Sequence, residues 1–408
     1  MQTLADTDPL VIVMVGLPAR GKTFIARKLA RYLNWLGRPA RVFNVGNYRR
    51  RLLGSTQPAS FFDPGNPEGY AARRTLALSA LDDLVAWLRD GPGRIGIYDA
   101  TNATRERRDL VSARLAEHGL APLFVESVCT DPSVVDANVR ETKLSMPDYA
   151  GVDPDAAVVD FRERIAHYER AYEPIDEADR HWVRLVDVGE RVVLNRIHGY
   201  LPSRIVFFLA NLHIVARPIF LTRHGESGFN VEGRIGGDPG LTERGRVFAA
   251  WLGRTLPTLV GAPPRVWTST LRRTIETAAH LPWPSTPIRN LDEIDAGEFD
   301  GWTYEEIGDR RPEEAQARAS DKLRYRYPRG ESYEDVIQRL DPVIIELERQ
   351  RDPVVVVSHQ AVLRCLYGYF TDQPPDACPH LDVPLQTVIR LVPKAYGAEE
   401  TRFIAPSA

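Results

Sequence analysis

Short apolar runs recur along the chain and alternate with stretches of helical period. LVIVMVG (Leu10–Gly16) leads into PARGKT, and RPIFLTRHGES (Arg217–Ser227) opens a second series of the same kind. Runs this short, rich in branched residues, read as strands buried on both faces of a parallel sheet. After the first run, Leu29, Leu33 and Leu36 recur at helical spacing and Gly37 closes the pattern, which predicts a helix from Lys22 to Leu36. The pattern continues with a strand at Ala40–Gly46, a long helix around Leu76–Leu88, a strand at Arg94–Ala100, another helix, and a strand at Leu123–Cys129. The second half repeats this style, with a strand at RVWTST, a helix from Leu271, and a strand at Pro353–His359. Strands alternating with helices imply parallel sheets with right-handed crossovers. The expectation is therefore two α/β domains, residues 1–215 and 216–408. The seam falls at Ile214–Pro218, where one strand-like segment ends and another begins, and Pro218 interrupts the pairing.

Composition narrows the function. A chain of 408 residues, 43% hydrophobic and 26% charged, is an ordinary globular protein. Lys+Arg is 52 against Asp+Glu 55, so no global positive excess is available to hold a nucleic acid. Three cysteines (Cys129, Cys365, Cys378) are too few and too scattered for a disulfide framework or a zinc site, and they fit a reducing compartment. The opening MQTLADTDP reads as no signal peptide. The longest apolar runs, Leu10–Leu17 and Ile205–Ala216, fall short of the ~20 residues of a membrane helix. The expectation is a soluble cytoplasmic protein with no nucleic-acid or membrane partner.

The first motif is Gly16-Leu-Pro-Ala19-Arg20-Gly21-Lys22-Thr23, a complete G-x-x-x-x-G-K-[ST] loop between a strand and a helix. Its glycines let main-chain N–H groups turn in around phosphate, Lys22 reaches the β- and γ-phosphates, and Thr23 offers a hydroxyl to Mg²⁺. Asp99, at the end of the strand RIGIYDA, is placed to serve the metal or the attacking hydroxyl, although a strand-end Asp also suits a helix cap or turn. Arginines cluster in segments that should converge at the strand ends: Arg49-Arg50-Arg51, Arg73-Arg74, Arg105/Arg107/Arg108 and Arg164. Arginine forks suit a second, already phosphorylated substrate. For most of them a solvated helix face is the simpler account, and position alone does not choose.

The second motif is Thr222-Arg223-His224-Gly225-Glu226-Ser227. A neutral histidine at a strand end can attack a phosphoryl group and pass it to water. Arg223 and Arg273 would hold its oxygens, His359 ends a strand as His224 does, and Glu293 is the candidate acid for the leaving alcohol. Taken alone, His359 could be a core histidine and Glu293 a surface carboxylate. The run DKLRYRYPRG reads as a basic, aromatic loop suited to a small dianion.

ARGKT, FNVGNYRR, DATNATRERR and ETKLSMPDY, followed by TRHGES, EIDAG and SHQAVLRCL, closely resemble the bifunctional 6-phosphofructo-2-kinase/fructose-2,6-bisphosphatase family from about Leu10 to Gly397. The resemblance implies a P-loop nucleotide-kinase-like parallel sheet followed by a phosphoglycerate-mutase-like histidine phosphatase. It implies transfer of the γ-phosphoryl of ATP to the 2-hydroxyl of fructose 6-phosphate, and hydrolysis of the 2-phosphate through phospho-His224. By that resemblance Lys22 and Thr23 serve ATP and Mg²⁺, Asp99 is the catalytic carboxylate, Asn138 to Lys143 approach the nucleotide, and Lys143 bridges it to the sugar phosphate. Arg49, Arg73, Thr101, Arg107, Arg164 and Tyr168 match the fructose 6-phosphate contacts. Asn230 and Gly236 match the early substrate loop of the phosphatase. Tyr304, Arg318, Lys322, Tyr333, Gln360 and Arg364 match residues that hold the 6-phosphate and the sugar. Cys129 matches a cysteine near the kinase site and reads as a packing residue. Dimerisation is a family expectation. Few residues flank the matched region, so the regulatory phosphorylation sites of the longer animal termini are not expected. Thr222 stands where many members have cysteine, and Pro239 in RIGGDPG could alter loop stiffness and the phosphatase rate. Two other readings compete: a polynucleotide end-processing kinase–phosphatase, and a regulatory binding module with degenerate sites.

Overall fold

The computed structural model describes residues 9–91, 93–140, 147–213, 216–394 and 397–406. It divides into two compact units. One gathers the residues through Leu33 and Arg38–His213, the other Asn34–Gly37 and the residues from 214 on.

The first unit is built on a sheet of strands β1 (Leu10–Val15), β2 (Ala40–Asn44), β3 (Ile95–Asp99), β4 (Pro122–Val128), β5 (His181–Val186) and β6 (Arg191–Asn195). Their order is β2-β3-β1-β4-β5-β6. Every side chain of β1 is buried, as an all-apolar central strand requires. Its neighbours β3 and β4 both run parallel to it, so three strands deliver their carboxyl ends to one edge. The long helix Pro67–Asp90 packs Ala77, Ala80, Leu81, Leu84, Val85 and Leu88 into the core beneath.

The second unit holds strands β7 (Ile219–Arg223), β8 (Arg265–Thr268), β9 (Ser285–Pro287), β10 (Val354–Ser358), β11 (Thr387–Pro393) and β12 (Ala398–Ile404). The order is β12-β11-β7-β10-β8-β9. Strands β7 and β10 run parallel with Arg223 opposite Ser358, so the residues after them, His224 and His359, emerge side by side.

Three expectations need correction. The sheets are mostly, not wholly, parallel: β6 pairs antiparallel with β5, and β11 with both β7 and β12. The residues Val45 and Gly46, read as strand, already begin the helix Val45–Leu53, because the Asn44 side chain caps it. The strand-like segment before the seam is largely the helix Tyr200–Ala210, whose branched residues pack at helical spacing.

Candidate active sites

In the first unit the loop from Gly16 to Thr23 joins β1 to the helix Lys22–Trp35. Gly16 has φ +132°, and a Cβ there would lie 2.4 Å from the Ser127 carbonyl oxygen, so only glycine fits. Neighbouring strands fix the loop. Gly16 N donates to Thr101 O (2.9 Å), Asn138 Nδ2 to Ala19 O (3.1 Å), and the Ser127 hydroxyl to Arg20 O. Ala19 takes a left-handed φ of +60°, which the Asn138 bond helps to hold. The Lys22 ammonium is buried and donates to Leu17 O (2.5 Å). Asp99 is 2% exposed at the end of β3, and Asn44 Nδ2 donates to its Oδ2 (2.5 Å). Asn44 thus caps a helix with its oxygen and orients Asp99 with its nitrogen. The sequence reading missed it, although FNVGNYRR contains it.

Next to this lies a basic pocket floored by Phe61 and Phe62. Arg164 and Arg49 stand over the Phe62 ring at 4.7 and 5.4 Å, Arg73 over Phe61 at 5.7 Å, and Tyr168 lies 6.1 Å from Phe62, ring to ring. Arg107 Nη2 donates to Arg73 O (3.3 Å). Burial lowers the Arg73 pKa, and the Arg107 charge adds to that. Arg49 Nη1 and Arg107 Nη1 are buried without a hydrogen-bond partner, two donors left for a ligand. Asp148, which the sequence reading did not single out, joins the cluster. It pairs with Arg49, with Arg50 (2.9 Å) and with Arg164 (3.7 Å), and its carboxyl sits below the usual range because the Arg49 and Arg50 bonds outweigh burial. Arg105 instead pairs with Asp176 at the surface, and Arg108 is wholly buried against Glu177. Both are scaffold. Cys129 packs against the core cluster beside the loop. Lys143 and its neighbours 141–146 lie outside the described residues.

In the second unit His224 and His359 face each other with ring centroids 5.1 Å apart. His224 Nδ1 donates to Gly225 O (2.7 Å), which assigns the lone pair to Nε2, and Arg273 Nε donates to that nitrogen at 3.2 Å. Burial, then the Arg273 charge, pushes the His224 pKa down to about 3, so the ring is neutral at physiological pH. His359 also stays neutral, chiefly because it is buried. Arg223 keeps Nε without a partner, and burial pushes its pKa down to about 10. Glu293 accepts from the main-chain N–H of Ile294 (3.0 Å), Gln360 and Ala361 (both 3.1 Å), so the start of the helix Gln360–Phe370 holds it.

A second cluster lies in the same unit. Lys322 donates to Pro379 O (2.9 Å), and burial together with the Arg318 and Arg364 charges pushes its pKa down to about 8. Arg364 reaches Leu381 O (2.7 Å) and Tyr333 OH (3.3 Å), and Arg318 reaches Tyr304 OH (2.9 Å) and Tyr327 OH (3.0 Å). Three cations converge there, each bonded to carbonyl or phenol oxygens. Asn230 turns its side chain back to cap its own helix, accepting from Ser227 N and Oγ (both 3.0 Å). Gly236 has φ +74° and lies against Asp300, whose Oδ1 accepts from Gly237 N (2.7 Å). Gly237 O in turn accepts from Arg273 Nη1 (2.7 Å). Thr222 donates to Thr387 O (2.9 Å) and holds β7 to β11.

Residues 1–216 match the family model of 6-phosphofructo-2-kinase, and residues 219–404 that of the histidine phosphatase superfamily, branch 1. A chicken (Gallus gallus) 6-phosphofructo-2-kinase/fructose-2,6-bisphosphatase is 49% identical over 394 residues, covering 96% of this chain and 84% of that protein. The chain belongs to the 6-phosphofructo-2-kinase/fructose-2,6-bisphosphatase family. An Arabidopsis thaliana protein of the same name is 50% identical over 402 residues, 97% of this chain and 54% of that protein. Among solved structures, Bacillus stearothermophilus YhfR is 31% identical with TM-score 0.41, covering 45% of this chain and 95% of that chain. As in the rest of the kinase/bisphosphatase family, an ATP-using kinase half precedes a histidine phosphatase half, and the substrates are sugar phosphates. No described helix is long and apolar enough to cross a membrane.

Proposed function

We propose that this chain makes fructose 2,6-bisphosphate from ATP and fructose 6-phosphate, and hydrolyses the 2-phosphate at its second site. The kinase half is taken as residues 1–215 and the phosphatase half as 216–408. The observation that carries the reading is the neutral His224, held by Gly225 O with its Nε2 directed at Arg273. It is the geometry of a phosphoryl acceptor rather than of a satisfied core histidine.

In the kinase half the loop N–H groups and Lys22 bind the ATP phosphates. The Thr23 hydroxyl and the Asp99 carboxylate are hard oxygen donors, and two of them suit a Mg²⁺ ion that keeps several waters. Bound there, Mg²⁺ would neutralise charge on the transferring phosphates. Asp99, oriented by Asn44, accepts the proton of the 2-hydroxyl. Arg49, Arg73, Arg107, Arg164, Thr101 and Tyr168 bind fructose 6-phosphate, and Lys143 spans the two substrates.

In the phosphatase half His224 Nε2 attacks the 2-phosphoryl group, and Glu293 protonates the departing sugar oxygen. Arg223, Arg273 and His359 stabilise the oxygens in flight. Arg318, Lys322, Tyr333, Arg364, Tyr304 and Gln360 anchor the 6-phosphate and the sugar. Water then attacks phospho-His224, and Glu293 takes the proton back. Location in the cytoplasm and assembly as a homodimer belong to the same reading.

A paired assay on one preparation tests it. MgATP with fructose 6-phosphate should yield fructose 2,6-bisphosphate, and substrate labelled at the 2-phosphate should leave acid-labile label on the protein. Transfer to DNA ends instead would support the polynucleotide reading. Turnover in neither tube would leave a binding module.

A further inference from the structure

His359 holds a proton question that its neighbours answer. Its Nε2 lies 2.7 Å from Ser269 Oγ, which lies 2.8 Å from Thr274 Oγ1, which lies 2.8 Å from Leu271 O. Leu271 N also donates to Ser269 Oγ (3.1 Å). All three side chains are buried. A carbonyl oxygen can only accept, so the Thr274 proton goes to a carbonyl, Leu271 O or the more distant Ser269 O (3.2 Å). Thr274 must then accept from Ser269, and Ser269 must accept from His359. The opposite direction would leave Thr274 and Leu271 as two oxygens 2.8 Å apart with no proton between them. The imidazole proton of neutral His359 therefore sits on Nε2. Its Nδ1 is left as a lone pair, buried and without a partner.

A lone pair repels a phosphoryl oxygen. We propose that the Ser269–Thr274–Leu271 relay is a positioning device that makes His359 take one proton from solvent, onto Nδ1, when a phosphoryl dianion enters the site. This rests on reading that site as the phosphoryl site. Once protonated, His359 donates from Nδ1 to the phosphoryl group and from Nε2 into the relay. The charges that face it are Arg273, Arg223 and Arg339, with neutral His224 beside them. Glu293 is bonded to the next two main-chain N–H groups. Three cations oppose protonation until a dianion reverses the local field. The direction of the His359 shift agrees with a ring that is neutral beforehand.

Tungstate is the probe, a tetrahedral dianion that carries no proton of its own between pH 6.5 and 8. Its inhibition constant against phosphatase turnover is measured across that range for the wild type, Ser269→Ala, Thr274→Val and Ser269→Thr. Uptake of one proton weakens inhibition about tenfold per pH unit. The wild-type slope should exceed that of Ser269→Ala and Thr274→Val by about one, and Ser269→Thr should restore it. A merely structural Ser269 would shift the constant equally at every pH. Equal slopes in the wild type and both relay variants overturn the proposal and leave the site reading intact. Tungstate that does not compete with substrate overturns the site reading itself. If Ser269→Ala does not fold, Thr274→Val carries the comparison.

Discussion

In the first half Arg49, Arg50 and Arg164 meet carboxylates while Arg73 and Arg107 rest on main-chain carbonyls; in the second Arg273, Arg364 and Lys322 rest on main-chain carbonyls. Arg49, Arg50 and Arg164 share Asp148, and Arg164 also pairs with Asp160 at 2.8 Å. In the phosphatase half Arg273, Arg364 and Lys322 rest on the carbonyls of Gly237, Leu381 and Pro379 at 2.7, 2.7 and 2.9 Å. The carboxylate paired with Arg273, Asp238, stands off at 3.8 Å. A carbonyl fixes a guanidinium without cancelling its charge, whereas a carboxylate does both. The second site therefore keeps a fixed positive field among buried cations. Burial is the first cause of the lowered pKa values of Arg223, Arg273 and Lys322; neighbouring cations add to it at Arg223 and Lys322, and Glu293 offsets it at Arg223 and Arg273. Such a field is preorganised for charge that develops during phosphoryl transfer. The first site instead already holds an anion, Asp148, on its arginines. On the proposed function, an incoming sugar phosphate would compete with Asp148 for Arg49, Arg50 and Arg164.

The sharpest break of this comparison is to remove one reacting group from each half. His224→Ala should lower phosphatase turnover by at least about 10⁴-fold and leave kinase turnover within about twofold. Lys22→Ala should lower kinase turnover about 10²- to 10³-fold and spare the phosphatase. Separate steady-state assays on each variant decide it, and loss of both activities in either variant would mean the sites do not act independently.

Charge exchange at the first site is tested by Asp148→Asn, which keeps a hydrogen-bond acceptor and removes the competing charge. The KM for fructose 6-phosphate should fall about three- to tenfold at low salt, with kcat little changed. A rise in KM would show that Asp148 chiefly holds Arg49 and Arg164 in place. Among the described residues, Arg318, Lys322 and Arg364 of the second pocket are held by carbonyls and phenols and offer no equivalent target.

Burying the two histidines beside these cations also costs stability in acid. His224 titrates near 3 when folded and near 6.5 when unfolded, and His359 is lowered as well. For a histidine with a lowered folded value, the unfolded chain gains the proton first as pH falls. Stability is then greatest above about pH 6.5 and declines toward pH 3, by about 2 kcal/mol at pH 5 for His224, with His359 acting in the same direction. Urea unfolding of the phosphatase half at pH 7.5 and 5, wild type against His224→Asn, should give a pH dependence about 2 kcal/mol smaller in the variant.

Much of this was legible in the sequence because the chemistry sits where strands end. The runs LVIVMV and VVVVS state their burial outright, and the P-loop and the RHG motif follow such strands directly. What stayed hidden is what periodicity does not encode. Strand β12, AEETRFI, is half exposed and polar, so nothing in its pattern announces an antiparallel edge. Asn44, Asp148, Ser269 and Asp300 act through partners 55, 99, 90 and 63 positions away. Asn230, which matches the substrate loop by resemblance, also caps its own helix through Ser227, a role its motif does not announce.

The smallest effect is expected at Pro239, where the sequence suggested that a proline stiffens the substrate loop. The loop around it is already pinned from both sides. Asp300 holds Gly237 N at 2.7 Å, Asp238 accepts from Arg272 N at 2.7 Å, and Gly240 O accepts from Gly228 N at 3.3 Å. Fixing φ at one position adds little where neighbouring bonds have already fixed the backbone. Pro239→Ser should change phosphatase kcat by less than about twofold and thermal stability by less than about 1 kcal/mol. Gly236→Ala is the contrasting variant. Its φ of +74° disfavours any side chain, and the new Cβ would fall 1.7 Å from Asp300 Oδ1. Displacing Asp300 frees Gly237, whose carbonyl holds Arg273, so turnover should drop about 10²-fold. If Pro239→Ser proves the more damaging of the two, the loop is governed by its own stiffness. The carbonyl contacts credited with organising the phosphatase site would then be its consequence.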